Sequence, residues 1–65
     1  MPKYPNIKVK LVGNDGNAYA IMGKVRQELR NNDVPKEEIE QYMKQSMSGD
    51  YDNLLRTAME WVDVQ

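Results

Sequence analysis

The sequence predicts a small α+β domain in the order β-α-α-α, with a short C-terminal strand that pairs with the first strand or with a dimer mate. One stretch alternates apolar and lysine side chains, as a half-buried strand does. Three later stretches repeat apolar residues every three or four positions, as amphipathic helices do, and turn-forming residues separate them. We expect one domain over residues 1–65, in which residues 1–5 are an extended lead-in.

The predicted strand covers residues 6–12, where apolar and lysine side chains alternate: Ile7, Lys8, Val9, Lys10 and Leu11. A lone strand leaves its backbone amides and carbonyls unpaired, so it requires a neighbour. The neighbour is either the C-terminal stretch WVDVQ of the same chain or the same strand of a second subunit. Opposite charges favour the first choice, because Lys8 and Lys10 would lie across from Asp63 and Glu60.

The first helix is predicted to follow a tight turn that contains Asp15, Gly16 and Asn17. The pair Asp-Gly is also typical of a hairpin with a return strand, but the apolar residues after it keep helical spacing: Ala18, Ile21, Met22, Val25 and Leu29. Asn17 is a suitable N-cap, and an asparagine at 31–32 is expected to end the helix in the left-handed conformation. Gly23 costs about 1 kcal/mol relative to alanine, and close approach of another backbone is the expected reason.

The second and third helices begin after further turn residues. Pro35 suits the first turn of the second helix, and the apolar face of that helix is Ile39, Tyr42, Met43 and Met47. Gly49 and Asp50 interrupt the chain, and Asp50 is the expected N-cap of the third helix. The apolar face of the third helix is predicted to be Leu54, Leu55, Ala58, Met59 and Val62. Trp61 is interpreted as covering a core edge or a seam between subunits.

A chain this short buries only about 60% of the surface that its unfolded form exposes, so we expect marginal stability. The sequence has no cysteine and no histidine, which removes disulfides and the usual zinc ligands as support. Self-association remains, and a homodimer is the expected state. Residues 1–36 carry seven basic and three acidic side chains, whereas residues 37–65 carry two and seven. Such halves are expected to face each other within the fold or across a dimer.

Catalysis is not expected. Without histidine or cysteine, no group activates or replaces the serine and threonine hydroxyls. Pairs of acidic residues are better explained as charges at helix starts, and no loop has calcium or phosphate-binding spacing. We therefore expect no cofactor and no metal. No apolar run reaches the ~20 residues of a membrane span, and the N-terminus lacks the apolar core of a signal peptide, so a cytoplasmic protein is expected.

Two kinds of binding site are compatible with the residues. The candidate protein interface consists of aromatic residues and the outer edge of the first strand: Tyr19, Tyr42, Trp61, Lys8 and Lys10. The methionines could add an adaptable surface to it. The candidate nucleic-acid site is a basic strand and helix face: Lys8, Lys10, Lys24, Arg26 and Arg30. No aromatic residues interleave with these cations, which makes the nucleic-acid site the weaker alternative.

The run VGNDGNAYAIMGKVRQELR, followed by VPKEEIEQYMKQSMSGDYDNLLRTAMEWVDV, resembles a family of small uncharacterised proteins from bacteriophage and bacterial genomes. The resemblance extends from Ile7 to Val64. It implies a phage setting, in which small proteins often bind and block a host protein, including anti-phage defence machinery. The resulting expectation is a homodimeric inhibitor or modulator in the host cytoplasm, with a nucleic-acid-binding accessory protein as the alternative.

Overall fold

A computed structural model describes residues 1–10 and 17–65. Its elements are β1 (Tyr4–Val9), α1 (Ala18–Asn31), α2 (Lys36–Ser46), α3 (Tyr51–Trp61) and β2 (Val62–Val64). The predicted α+β class and the order of the elements are confirmed, and the closing strand pairs with the first strand of the same chain. The predicted turn residues Asp15 and Gly16, and the end of the predicted strand at residues 11–12, lie outside the described residues.

The two strands are parallel, because three helices carry the chain back to the starting end of β1. Lys8 lies opposite Asp63, as the charges predicted. Lys10 does not lie opposite Glu60, because parallel strands bring the two C-terminal ends together. The Glu60 carbonyl instead accepts from the Lys3 amide at 2.8 Å. The expected pairing of Lys10 with Glu60 is therefore wrong.

The strand begins earlier than predicted, because Tyr4 and Pro5 belong to β1 rather than to a lead-in. Tyr4 pairs with Val62, and the register shifts between Tyr4 and Lys8. Proline cannot donate a ladder hydrogen bond, and an irregular stretch of strand is where it is tolerated. The lead-in is thus reduced to residues 1–3, and even Lys3 is bound to the fold through its amide.

Both ends of α1 are held by hydrogen bonds. The Asn17 side-chain oxygen accepts from the amides of Tyr19 and Ala20 at 3.0 and 3.4 Å, as expected for an N-cap. At the other end the left-handed residue is Asp33, with φ of 60°, and not an asparagine. The Asp33 amide donates to the Arg30 carbonyl and the Val34 amide to the Leu29 carbonyl, at 3.1 and 3.0 Å. This is a Schellman motif that also buries Val34 against the core.

The turn between α2 and α3 depends on Gly49 and Asn53. Asp50 caps α3 by accepting from the Asn53 amide at 2.9 Å. The Asn53 side chain reaches back and donates to the Gln45 carbonyl at the end of α2, also at 2.9 Å. A Cβ at position 49 would lie 3.0 Å from the Asn53 Cβ. Gly49 therefore leaves room for the side chain that joins the two helices.

The core lies between the sheet and the three helices. Its main cluster joins β1 and β2 to the inner faces of the helices: Ile7, Val9, Val25, Leu29, Val34, Ile39, Tyr42, Ala58, Trp61 and Val62. A smaller cluster of Ile21, Met22 and Leu54 joins the first half of α1 to α3, with Leu55 packed against it. The sheet has two strands, so each strand keeps one outer edge among the described residues.

Candidate functional site

Two of the three aromatic residues expected at an interface are part of the core. Tyr42 is 0% exposed and Trp61 is 4% exposed, and their rings meet edge to face with centroids 5.7 Å apart. Trp61 follows Leu54 and Ala58 at helical spacing, so it lies on the buried face of α3 and not beside it. The interface prediction for Tyr42 and Trp61 is therefore corrected. Tyr19, by contrast, is 77% exposed.

Residues before the predicted strand help to bury Trp61. The Tyr4 ring lies 6.1 Å from it, and the Lys3 ammonium lies 4.5 Å above its ring centroid. The indole N–H donates to the Gln45 side chain at 3.0 Å. No local sequence pattern indicates these contacts, because they join segments that are far apart in the chain.

Lys3, Tyr4 and Glu38 form a small polar cluster next to this tryptophan. The Tyr4 hydroxyl donates to the Glu38 carboxylate at 2.6 Å, and the Lys3 ammonium contacts the same oxygen at 2.6 Å. Partial burial, followed by the bond to the carboxylate, raises the pKa of Tyr4 to about 12. The hydrogen bonds from Lys3 and Tyr4 lower the pKa of Glu38. The cluster holds the N-terminus against α2.

Two methionines predicted for the core are on the surface. Met47 is 59% exposed and Met59 is 56% exposed, whereas Met22 is buried and Met43 is half-buried. Position 59 lies away from the line through Leu54, Ala58 and Trp61, which explains its exposure. Within the described ranges, the large exposed apolar side chains apart from Met1 are Tyr19, Met47, Tyr51 and Met59.

Met47 lies at one end of a groove between α1 and α2, which we call the α1–α2 groove. It has a volume of about 900 Å³. Its apolar lining is Val34, Ile39, Met43 and Met47, and its charged lining is Arg26, Arg30, Asp33, Lys36, Glu40 and Lys44. Within residues 1–10 and 17–65, the ion pair of Lys3 with Glu38 is the single salt bridge. The four basic side chains of the groove therefore have no ion-pair partner in the described chain.

A second cleft of about 430 Å³ meets the groove at Met47 and is called the helix-end cleft. Exposed Tyr19 and Tyr51 line it, together with buried Ser46. The Ser46 hydroxyl and that of Tyr42, one turn before it on α2, are buried and have no hydrogen-bond partner of good geometry among the residues that the structure describes. Burial raises the pKa of Tyr42, and the nearby Ser46 hydroxyl partly opposes that effect.

The structure divides the predicted basic face into two parts. Lys8, Lys10 and Lys24 line a depression of about 500 Å³ near the ends of the strands, which we call the strand-end depression. Arg26 and Arg30 line the α1–α2 groove. Lys24 and Arg26 are about 200° apart around the helix, so they flank opposite sides of its buried face. The five cations expected at one nucleic-acid site do not share one surface.

The described residues were also compared with the requirements of a metal site and of a membrane-spanning helix. In the part of the chain that the structure describes, no three acidic side chains come close enough together to hold a metal ion. None of the helices in that part is both long and apolar enough to cross a bilayer. Comparison with protein families, with curated proteins and with solved structures finds no match for this chain. The resemblance to small phage and bacterial proteins stays a prediction, and the surfaces described above carry the functional proposal.

Proposed function

We propose that this protein is a small non-catalytic interaction protein that binds another protein in the α1–α2 groove. The observation that carries the proposal is the composition of that groove. Half-buried Met43 and exposed Met47 form part of an apolar lining, and four basic side chains surround it that have no ion-pair partner within residues 1–10 and 17–65. Exposed apolar surface with a polar rim is typical of binding sites, and methionine adapts its shape to the side chains that it meets.

The shape and charge of the groove favour an acidic amphipathic helix as the bound segment. The groove extends along α2 from Lys36 to Met47, about 16 Å at the rise of an α-helix. A helix of three turns has this length and places apolar residues on one face at three- and four-residue spacing. Glutamate or aspartate beside that face would meet Arg26 and Arg30. Nucleic acid fits this groove less well, because phosphates do not bury methionine side chains.

The resemblance to phage proteins gives the proposal its most concrete form. In that form the partner is a host protein, including a component of anti-phage defence, and the phage-type inhibitor blocks it by occupying its acidic helix. We further propose that the protein acts as a homodimer. Two facts support this state: the chain has 65 residues and no cysteine, and domains of this size usually need support beyond one core.

Capture from host lysate tests the proposal. The tagged protein is compared with the double variant Arg26→Glu/Arg30→Glu, which reverses the charge at one wall of the groove. A matched control, Lys8→Glu/Lys24→Glu, makes the same change of charge at the strand-end depression. We expect the control to retain the protein that the wild type captures and the groove variant to lose it. Equal capture by all three proteins would contradict the proposal.

The alternative function is a nucleic-acid-binding accessory protein that uses the strand-end depression. It is favoured by one observation, the convergence of Lys8, Lys10 and Lys24 there. Titration with DNA and RNA at two salt concentrations distinguishes the two functions. Steep loss of affinity with added salt, abolished by Lys8→Glu/Lys24→Glu, supports the alternative. Absence of binding at low salt removes it.

A further inference from the structure

We propose that an exposed apolar stripe of α3, formed by Tyr51, Leu55 and Met59, is the surface on which a second copy of this chain docks. The assignment rests on the homodimer of the proposed function and names the interface. Tyr51 is 40% exposed, Leu55 is half-buried and Met59 is 56% exposed. Their four-residue spacing places them along one side of the helix, over about 12 Å. In the described structure no element covers this side of Met59.

The stripe is complementary to a copy of itself. Leu55 is at its centre, and a large apolar side chain lies four residues away in each direction. Two such helices packed antiparallel around a two-fold axis place Leu55 against its counterpart and Tyr51 beside Met59 of the other copy. Ridges of residues four apart are the commonest means by which helices pack. A two-fold interface requires this kind of self-complementary surface.

The charged side chains beside the stripe also favour a second copy of this chain as the partner. Asp52 and Arg56 are exposed on one flank of it, and neither forms an ion pair in the described chain. A two-fold axis between the helices places the flank that carries Asp52 and Arg56 on the same side of the interface in both copies. Asp52 of one copy therefore lies close to Arg56 of the other. The two opposite charges can then satisfy each other twice across the interface. Such pairs fix register and exclude wrong partners.

Sedimentation equilibrium of the full chain at micromolar concentrations is the first test. The wild type is expected to have a mass near twice 7.6 kDa. Met59→Glu places a charge in the stripe and is expected to give the monomer mass. Met47→Glu is the matched control, since Met47 is an equally exposed methionine that follows α2 and is not part of the stripe, and it is expected to remain dimeric. Circular dichroism melts confirm that both variants are folded.

Charge reversal gives the second test. Asp52→Arg and Arg56→Asp are each expected to raise the dimer Kd by about tenfold or more, because like charges then meet. An equimolar mixture of the two variants, or the double variant in one chain, is expected to recover the wild-type Kd. A wild-type dimer that Met59→Glu and both reversals leave unchanged overturns this interface while the homodimer stands. A monomeric wild type overturns both this interface and the homodimer. Binding of a partner in the α1–α2 groove is tested separately, by the capture from lysate.

Discussion

Individual residues differ in whether their identity is required by the fold. Gly23, within a helix, and Gly49, in a turn, show the contrast. A Cβ at Gly49 would meet Asn53 at 3.0 Å, whereas a Cβ at Gly23 would meet no atom of the described residues within 4 Å. The prediction that another backbone comes close to Gly23 is therefore wrong for the described part of the chain, and the residue lies exposed within α1. No contact with the described residues compensates the cost of this glycine to helix stability.

Gly23→Ala is expected to raise the free energy of unfolding by about 1 kcal/mol, because alanine restricts the unfolded chain and favours the helix. Gly49→Ala, the same change at a crowded position, is expected to lower it. Urea denaturation followed by circular dichroism measures both. A loss of stability in Gly23→Ala would show that this position has a contact outside the described residues.

Tyr4 makes the stability of the folded protein depend on pH. The pKa of Tyr4 is raised to about 12 in the folded protein, against about 10 in an unfolded chain. Its contribution to stability is therefore complete below pH 10 and is lost as the pH rises from 10 through about 12. We expect Tyr4→Phe to lose less stability than the wild type over this range. Ultraviolet titration of tyrosinate should show that the variant lacks one late-titrating group, and an unchanged titration curve would contradict the assignment.

At the scale of elements, caps and turn residues decide where the helices begin and end. Asn17 and Asp50 could be recognised in the sequence because an N-cap bonds to amides two or three residues away. The end of α1 was harder to predict. Asn31, Asn32 and Asp33 all tolerate the left-handed conformation, and the choice depends on burying Val34, which is a tertiary contact.

Asp33→Gly is expected to stabilise the protein by up to about 1 kcal/mol, because φ of 60° carries no steric cost for glycine. Asn32→Gly is the matched control. Its φ of −103° suits any residue, and its side-chain amide donates to the Glu28 carbonyl at 2.8 Å. Glycine there adds freedom to the unfolded chain and removes this hydrogen bond, so it is expected to destabilise. Thermal melts of the two variants give the comparison. Equal shifts of the melting temperature in the two variants would contradict the assignment of the left-handed conformation to Asp33.

At the scale of the whole molecule, the two ends of the chain meet. Lys3 and Tyr4 cover Trp61, and the amide of Gln65 bonds to the Val9 carbonyl at 2.8 Å. A domain of this size has a total stability of only several kcal/mol. The tryptophan at this junction is therefore expected to account for a large part of it.

Trp61→Ala is expected to cost about 3–5 kcal/mol, the usual cost of removing a large buried aromatic side chain, and to leave much of the chain unfolded. Glu60→Ala, one residue earlier on the exposed side of α3, is expected to change stability by less than about 0.5 kcal/mol. Urea denaturation measures the difference. A small effect of Trp61→Ala would contradict its role in the core and would favour the earlier prediction that it lies at an interface.

The candidate sites show the same division between local and distant contacts. Tyr19 was expected at an interface and is exposed, but the basic side chains expected on one face are divided between two surfaces. The α1–α2 groove could not be anticipated, since it depends on how two helices pack and on which methionines stay outside. Helical wheels that count Met59 and Met47 as core fail because they consider one helix at a time, whereas burial is decided by its neighbours.

The amino-acid sequence by itself determined the class of fold, the order of its elements and the residues at the N-caps of α1 and α3. These features depend on side-chain periodicity and on hydrogen bonds that span a few residues. Only the tertiary structure decided that the strands are parallel, that Tyr42 and Trp61 are core residues, and that the cations occupy two surfaces. Those outcomes depend on contacts between segments far apart in the chain, and no local pattern encodes them.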